Sequence, residues 1–158
     1  EPLIQMVLPQ WRSDKYRSKV IDVRRESADM YTLVIKPNKH WQGFLAGQYI
    51  ELTVEKEGTW VSRFFSISSS PEYYRQKGLI EISIRIQEQG QITPWLPQAL
   101  KSGGVVNLSG AEGAFRLPES LTPTLMIAGG SGITPFRSML QQIASQHQSF
   151  QQPICLMY

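Results

Sequence analysis

The alternation of apolar and polar positions divides the chain into two parts that meet near Pro118. From Tyr16 to about Ser109, short alternating or β-branched runs are separated by turn residues. The clearest run is residues 80–86, where four isoleucines alternate with polar residues. A period of two predicts strands with one buried face, and several such strands without a long helix predict an antiparallel barrel or sandwich.

Further strands in the first part follow from the same patterns. Residues 31–35 form a β-branched run, residues 50–55 alternate between apolar and polar side chains, and residues 105–108 form a short strand. Glu57-Gly58 predicts a hairpin turn that leads from the second of these strands into residues 59–68.

Two helices are predicted, one in each part. In the first part Thr93 is a good N-cap and Pro94 suits the first helical position, while Pro97 keeps the helix brief. Beyond Pro118, Thr134 can cap a longer amphipathic helix. The apolar stripe of that helix comprises Phe136, Met139, Leu140, Ile143 and Ala144.

The second part is predicted to be a strand–helix–strand unit. Residues 125–128 form a continuous apolar run, which is typical of a strand buried on both faces, and residues 154–158 predict a second buried strand. The loop Gly129-Gly130-Ser131-Gly132 connects the first strand to the helix. A unit of this kind is normally part of a larger parallel sheet.

Composition limits the class of protein. The chain has 158 residues, 41% hydrophobic and 18% charged, which fits one globular domain with or without part of a second. The single cysteine, Cys155, excludes an internal disulfide, a Cys-ligated zinc site and an iron–sulfur cluster within these residues. A reducing, cytoplasmic location is therefore expected. His40 and His147 are isolated, so no metal site is expected.

Charge and hydropathy limit the partners. No apolar run approaches the roughly 18 residues that a membrane span needs. The net charge of +3 is too small to indicate a nucleic-acid partner. From Arg12 to Arg25, however, the sequence contains six basic residues and only two acidic ones. This stretch is either a solvated strand face or a docking patch for an acidic protein partner.

Because catalytic side chains are scarce, the chemistry is expected to come from a cofactor. Residues 63–68 could bind one, since Arg63 can clamp a phosphate and an aromatic neighbour can cover a planar ring. In a strand, one face would carry Arg63, Phe65 and Ile67, and the other would carry Phe64, Ser66 and Ser68. An ordinary barrel strand is the alternative interpretation.

Two glycine-containing loops could hold phosphate groups. Residues 90–93 form a glycine turn that leads into a helix N-terminus, where free N–H groups favour an anion. Residues 129–135 have the strand–loop–helix context of a nucleotide site, although Pro135 occupies the third glycine position of the G-x-G-x-x-G fingerprint. Each loop alone is also typical of an ordinary turn.

Together, in this order and spacing, the segments resemble the ferredoxin–NADP reductase superfamily, especially the flavin reductase components of bacterial oxygenase and desaturase systems. Residues 63–66 are similar to its Arg-x-[Tyr/Phe]-Ser flavin motif, and residues 90–96 to its Gly-x-x-[Ser/Thr]-x-x-Leu flavin-phosphate segment. Residues 47–49 and 110–115 match Gly-Gln-[Tyr/Phe] and Gly-Pro-x-Gly-x-Phe, with alanine in place of the proline. Residues 129–135 match the Gly-Gly-x-Gly-[Ile/Val]-Thr-Pro start of the nicotinamide domain.

The resemblance implies a mainly β fold in three segments. Residues 1–15 would be an N-terminal arm or linker, residues 16–117 an antiparallel Greek-key FAD-binding barrel, and residues 118–158 an incomplete β-α-β start of the NAD(P)-binding domain. The implied cofactor-binding residues are Arg63, Phe64, Phe65, Ser66, Ile84, Arg85, Ile86, Gly90, Gln91, Ile92, Thr93, Gly129, Gly130, Ser131, Gly132 and Thr134.

The resemblance also implies roles for these residues. Arg63 and the 90–93 loop would bind the FAD pyrophosphate, and Phe65 would stack on the isoalloxazine. The implied catalytic residues are Ser66, near flavin N5, and Thr134, which would approach the ring from the second domain. The implied reaction is hydride transfer from NAD(P)H to FAD and then electron transfer to an iron–sulfur partner. Its 2Fe-2S cluster would lie in a separate protein or in a domain outside this chain.

Two alternatives stay open at this point. The chain could be a non-catalytic FAD-binding fragment of such an enzyme, or a flavin-free ligand-binding β-barrel that resembles oligonucleotide- or oligosaccharide-binding folds. The apolar strands of residues 118–158 would have an exposed edge, which predicts self-association through this end.

Overall fold

A computed structural model of the chain describes residues 15–101, 103–119, 122–145 and 152–158. The first part is a six-stranded sheet made of β1 (Tyr16–Arg25), β2 (Met30–Lys36), β3 (Tyr49–Lys56), β4 (Thr59–Ser66), β5 (Ile80–Arg85) and β6 (Val105–Leu108). The strands lie in the order β4-β3-β6-β1-β2-β5, and every pair is antiparallel. The sheet curls into an open barrel whose free edges are β4 and β5, which confirms the predicted fold class.

The hairpin between β3 and β4 has the predicted turn. Glu57 and Gly58 both have positive φ, 52° and 76°, as the tight hairpin turns that match the twist of the strands require. The register of the two strands is regular from Lys56 opposite Thr59 to Tyr49 opposite Ser66. The turn therefore fixes which residues of β4 face the barrel interior.

The barrel interior is filled by the alternating residues that the pattern predicts. Ile80, Ile82 and Ile84 of β5 are at most 2% exposed. They belong to one core cluster with apolar residues from every other strand, among them Val20, Leu33, Ile35, Ile50, Leu52, Val61, Val106 and Leu108. Burial of apolar side chains on one face of each strand is the main favourable term that holds the barrel together.

Helix α1 (Pro71–Lys77) is not predicted from the sequence. The hydroxyl of Ser70 caps it by accepting a hydrogen bond from the N–H of Tyr73 at 3.1 Å. The helix ends at Gly78, which has the left-handed conformation and donates its N–H to the Tyr74 carbonyl. Serine before proline at the start and glycine at the end are a capping pattern that identifies this helix.

Helix α2 (Leu96–Ala99) is a single turn, which confirms the brief helix but not its predicted cap. Trp95 occupies the N-cap position, and Pro97 lies in the first turn, where its missing N–H has no helical partner to lose. The Thr93 hydroxyl accepts a hydrogen bond from the N–H of Gln87 at 2.8 Å instead. Thr93 therefore shapes the loop before the helix and does not cap it.

The second part contains β7 (Thr124–Ile127), a 3₁₀ turn (Gly130–Gly132), α3 (Ile133–Ser145) and β8 (Ile154–Met157). Strands β7 and β8 pair in parallel, so the predicted strand–helix–strand unit is confirmed. Thr134 lies in the first turn of α3 and is not its N-cap, because the 3₁₀ turn leads directly into the helix.

The predicted burial of β7 and β8 on both faces is wrong. Met126 is 3% exposed, but Leu125 and Ile127 are 56% and 64% exposed, and β8 is exposed beyond the half-buried Ile154. Met126 and Ile154 pack in the same apolar cluster as residues of α3. Within the described ranges, no element covers the opposite face of the two strands.

Helix α3 also joins the second part to the barrel. Its residues Met139 and Ile143 are buried with Ala46 of the barrel, while Ala144 of the predicted stripe is exposed. Next to Ala46, Gly47 has a φ of +99°, and a Cβ atom there would lie 2.2 Å from the Phe115 carbonyl oxygen. It would also lie 2.4 Å from the Met139 Cε. Only glycine permits this close approach.

Candidate functional site

The candidate site begins at the two free edges of the barrel. In the described sheet β4 pairs along one edge with β3, and β5 pairs along one edge with β2, so the other edge of each strand has no strand partner. Just after β4, the Ser68 N–H donates to the Glu81 carbonyl at 2.8 Å, and the Ser68 and Ser83 hydroxyls are 2.9 Å apart. Among the described residues no backbone hydrogen bond joins β4 itself to β5. The barrel therefore closes at one end only and leaves two strand edges available to a ligand.

The register of β4 confirms the predicted sides of the 63–66 segment. Arg63 lies opposite the buried Leu52, and Phe65 lies opposite the buried Ile50, so both face the barrel interior. Phe65 is half-buried and packs against the main core cluster. Arg63 is exposed because it lies at the open edge, and within the described ranges its guanidinium donates only to the adjacent Ser62 carbonyl, from Nη1 at 2.7 Å.

Phe64 and Ser66 lie on the outer face. Phe64 is 62% exposed, and its ring meets Tyr49 edge to face with centroids 5.7 Å apart. Ser66 ends the strand opposite Tyr49 and is half-buried. An aromatic ring is therefore available on each side of β4, but only Phe65 is anchored in the core.

A cleft of about 700 Å³ lies at the end of β5. It is lined by Ala28, Asp29, Arg85, Ile86, Gln87, Glu88, Gln89 and Gly90. The Arg85 Nε donates to the Asp29 carboxylate at 2.8 Å. Hydrogen bonds from the Ser27 hydroxyl and from Arg85 lower the pKa of Asp29. Arg85, unlike Arg63, is thus already paired with a carboxylate.

Hydrogen bonds and a buried side chain fix the loop of residues 90–93. Gly90 donates its N–H to the Gln87 carbonyl at 2.7 Å, and the buried Tyr31 donates its hydroxyl to the Thr93 carbonyl at 3.0 Å. Burial raises the pKa of the Tyr31 hydroxyl, so it stays a hydrogen-bond donor at neutral pH. Ile92 is 4% exposed and anchors the loop in the core.

Lys56 is a site residue that sequence reasoning missed. Its Nζ donates to the Gln91 carbonyl at 2.7 Å and lies 5.7 Å from the centre of the Trp95 ring. The lysine comes directly before the Glu57-Gly58 turn, so the sequence indicates its position at the tip of the hairpin. No local pattern indicates its contact with the loop. Lys56 brings a positive charge to the predicted phosphate loop.

The glycine-rich loop of the second part lies beside β5. A Cβ atom at Gly130 would be 3.3 Å from Arg85 Nη1, so the guanidinium lies against this loop. Thr134 is 6% exposed and donates its hydroxyl to the Ser131 carbonyl at 2.9 Å. Gly129 and Gly132 have open space around them. Arg85 therefore contacts the glycine-rich loop and lines the same cleft as Gly90 of the 90–93 loop.

The basic stretch on β1 is partly described. Arg17 and Lys19 are exposed, and Lys19 lies directly opposite Lys36 of β2. Arg24 pairs with Glu26 and Glu81, whereas Arg12 lies outside the described residues, as does His147. The solvated face and the docking patch therefore both remain predictions.

A barrel whose open edges carry an arginine and an aromatic ring, next to a strand, a glycine loop and a helix, defines a class. It comprises scaffolds that can bind a phosphate-bearing cofactor between a barrel edge and a strand–loop–helix unit. In the described ranges no group of three or more His, Cys, Asp or Glu could hold a metal, and no helix is long and apolar enough to cross a membrane.

Comparisons with known proteins agree with this class. The family described as "Oxidoreductase FAD-binding domain" matches residues 17–117, and "Oxidoreductase NAD-binding domain" matches residues 126–158. An NADPH oxidoreductase of Mycobacterium tuberculosis is 31% identical over 147 residues, which are 92% of this chain and 39% of that protein. The toluate 1,2-dioxygenase electron transfer component of Pseudomonas putida is 35% identical over 144 residues, 90% of this chain and 40% of that protein.

A solved structure of an FAD/NAD-binding domain has a similar fold. The FAD/NAD-binding domain of a nitric oxide dioxygenase from Vibrio cholerae has a TM-score of 0.76 at 25% identity, covering 90% of this chain and 61% of that one. This chain belongs to the FAD-binding oxidoreductases of the ferredoxin–NADP reductase superfamily. It spans about two fifths of the length of the curated relatives it matches.

Proposed function

We propose that the chain is the FAD-binding part of an NAD(P)H-dependent reductase that passes electrons to a separate iron–sulfur protein or domain. The observation that carries this proposal is the approach of Arg85, from the flavin side, to Gly130 in the nucleotide loop. Arg85 also lines the cleft that contains Gly90, so the nucleotide loop lies beside the strand end that leads into the 90–93 loop.

The barrel edge fits FAD in the chemistry of its donors. Arg63 is exposed and has four N–H donors beyond the one given to Ser62, and Lys56 adds a second cation at the 90–93 loop. A pyrophosphate needs such donors and positive charges, and the loop's own backbone is held in place by Tyr31 and Thr93. These groups would hold the phosphates.

The isoalloxazine would lie against β4 and β5. Phe65 would stack on the ring from its anchored position, with Phe64 flanking the outer side. The unpaired edges near Ser66 and along Ile84, Arg85 and Ile86 would offer hydrogen bonds to the ring heteroatoms. FAD, when bound, would supply the redox chemistry, namely hydride acceptance from the nicotinamide and single-electron donation to the acceptor.

The nucleotide loop would hold the electron donor. Gly129, Gly130, Ser131 and Gly132 would admit a phosphate close to the backbone, and the buried Thr134 would fix the start of α3 toward the ring. The Pseudomonas relative is an electron transfer component of a dioxygenase, which supports a separate acceptor for this chain too. The iron–sulfur character of that acceptor and the cytoplasmic location belong to the proposal.

The test uses purified protein and its visible spectrum. The protein should carry a flavin band, or regain one when FAD is added to the apoprotein. A two-domain version, extended to the full length of the curated relatives, should lose that band with NADH or NADPH under anaerobic conditions. Colourless protein that cannot be reconstituted would favour the flavin-free barrel. A flavin band that only dithionite removes from the two-domain version would favour the non-catalytic alternative.

A further inference from the structure

A buried carboxylate lies where the barrel and the second part meet. Glu81 is on the outer face of β5, and its side chain is only 8% exposed. Two arginines from different elements hold it: Arg24 of β1 donates to Oε1 at 3.2 Å, and Arg137 of α3 donates to Oε2 at 2.8 Å. Removing either partner from such a carboxylate leaves part of a buried charge unpaired.

Arg137 also reaches the main chain of the barrel. Its Nη1 donates to the Ser68 carbonyl at 2.9 Å. One turn of helix carries two further bonds to the same segment: the Ser138 hydroxyl donates to the Ser69 carbonyl at 2.6 Å, and the Ser70 N–H donates to the Gln141 side chain at 3.1 Å. Ser138 is fully buried. One face of α3 is therefore bonded to three consecutive barrel residues.

Both ends of this contact lead directly to the proposed reaction site. On the barrel side, Ser68 follows Ser66 by two residues. On the helix side, Arg137 follows Thr134 by three residues, one turn of helix. A change in how α3 packs on the barrel would therefore move the nucleotide loop relative to the end of β4.

We propose that Arg137, held by Glu81 and the Ser68 carbonyl, is a positioning residue that sets the nicotinamide loop against the flavin edge of the barrel. This inference rests on the proposed function. Arg137 touches no proposed ligand group, and it acts through α3 and Thr134. Hydride transfer depends steeply on how the two rings are placed, so a small displacement would slow it strongly.

The structure provides a matched control for Arg137. Arg24 bonds the same carboxylate but belongs to β1, so it does not cross to the second part. Hydrogen bonds to Glu26 and Glu81 raise the pKa of Arg24, in accordance with this pairing. Arg24→Met and Arg137→Met thus take one cation each from Glu81, and only the second releases α3.

The experiment measures FAD bleaching by saturating NAD(P)H in the two-domain version, by anaerobic stopped flow. Arg137→Met should slow bleaching at least tenfold and weaken the long-wavelength band of the stacked nicotinamide–flavin pair. Its FAD affinity and its reduction by dithionite should stay within twofold of the wild type. Arg137→Lys should recover part of the rate, and Arg24→Met should bleach within twofold of the wild type. Equal rates for Arg137→Met and Arg24→Met would overturn the inference.

Two further measurements keep the test decisive. If Arg137→Met does not fold, the pair Glu81→Gln with Arg137→Met leaves no unpaired buried carboxylate and should show the same slow bleaching. If the wild type is not bleached at all, the proposed function fails, and amide exchange of α3 decides the inference separately. Exchange at Met139–Ile143 should be at least tenfold faster in Arg137→Met than in Arg24→Met, and equal exchange would refute the positioning role.

Discussion

Arg63 should contribute far more to FAD affinity than Arg85, although both lie at the open edges of the barrel. Among the residues that the structure describes, Arg63 makes one hydrogen bond, to the carbonyl of its own neighbour, and it faces the interior at the free edge of β4. Arg85 already gives its Nε to Asp29. A pyrophosphate would therefore find a free guanidinium at Arg63 and a paired one at Arg85.

The size of the effect follows from the bonds that would be lost. A hydrogen bond to a charged group contributes about 1.5–3 kcal/mol, which corresponds to about 10- to 150-fold in affinity. Arg63→Ala should weaken FAD binding by at least the lower figure, because no other arginine lies on β4. The FAD affinity of Arg63→Lys should fall between those of the wild type and Arg63→Ala, because lysine keeps the positive charge but loses the bidentate geometry.

The assay is a titration of each apoprotein with FAD, followed by quenching of flavin fluorescence. Arg85→Ala is the matched control, because it removes an exposed arginine from the opposite edge. Its loss of FAD affinity should be small, because the Arg85 guanidinium is already held by the Asp29 carboxylate. Equal losses of FAD affinity in Arg63→Ala and Arg85→Ala would refute the assignment of the pyrophosphate to Arg63.

Three other predictions concern the second part and its contact with the barrel. The 158-residue chain alone should bind FAD but be reduced slowly by NADH or NADPH, because only the glycine loop of the nucleotide site is within it; bleaching as fast as in the two-domain version would contradict this. The exposed Leu125 and Ile127 should cause self-association, so light scattering should show oligomers that Ile127→Lys converts to monomer, and a wild-type monomer at high concentration would contradict it. Gly47→Ala should lower the free energy of unfolding in urea by about 3 kcal/mol or more, from positive φ and from overlap with Phe115 and Met139. Gly58→Ala has positive φ but open space, so it should lose about 1 kcal/mol, and equal losses would show that the overlap is relieved without cost.

The sequence predicts what depends on near neighbours along the chain. The alternation of the isoleucines in β5 and the Glu57-Gly58 turn were sufficient for the strands and the register of the hairpin, because both are local signals. The sides of β4 followed from the same period, so the placement of Arg63 and Phe65 could be predicted before any coordinates.

What the sequence did not predict depends on contacts between distant segments. Lys56 reaches Gln91 across 35 positions, and Arg137 reaches Glu81 across 56, and no local pattern marks either pair. The burial of β7 was overestimated because an apolar run shows what a strand can bury and not what covers it. Helix α1 is a different case, because its capping residues are a local pattern in the sequence.

In the segment Ser68–Ser70, side-chain hydroxyls and main-chain carbonyls make contacts with different elements. The hydroxyls of Ser68 and Ser69 bond to β5, at the Ser83 hydroxyl and the N–H of Glu81, while the carbonyls of the same two residues accept from α3. The barrel thus presents main-chain atoms to the helix, and every residue has those. Exchange of second domains among relatives should therefore succeed or fail on the helix side. A chimera needs donors at positions 137 and 138 far more than it needs serines in the barrel.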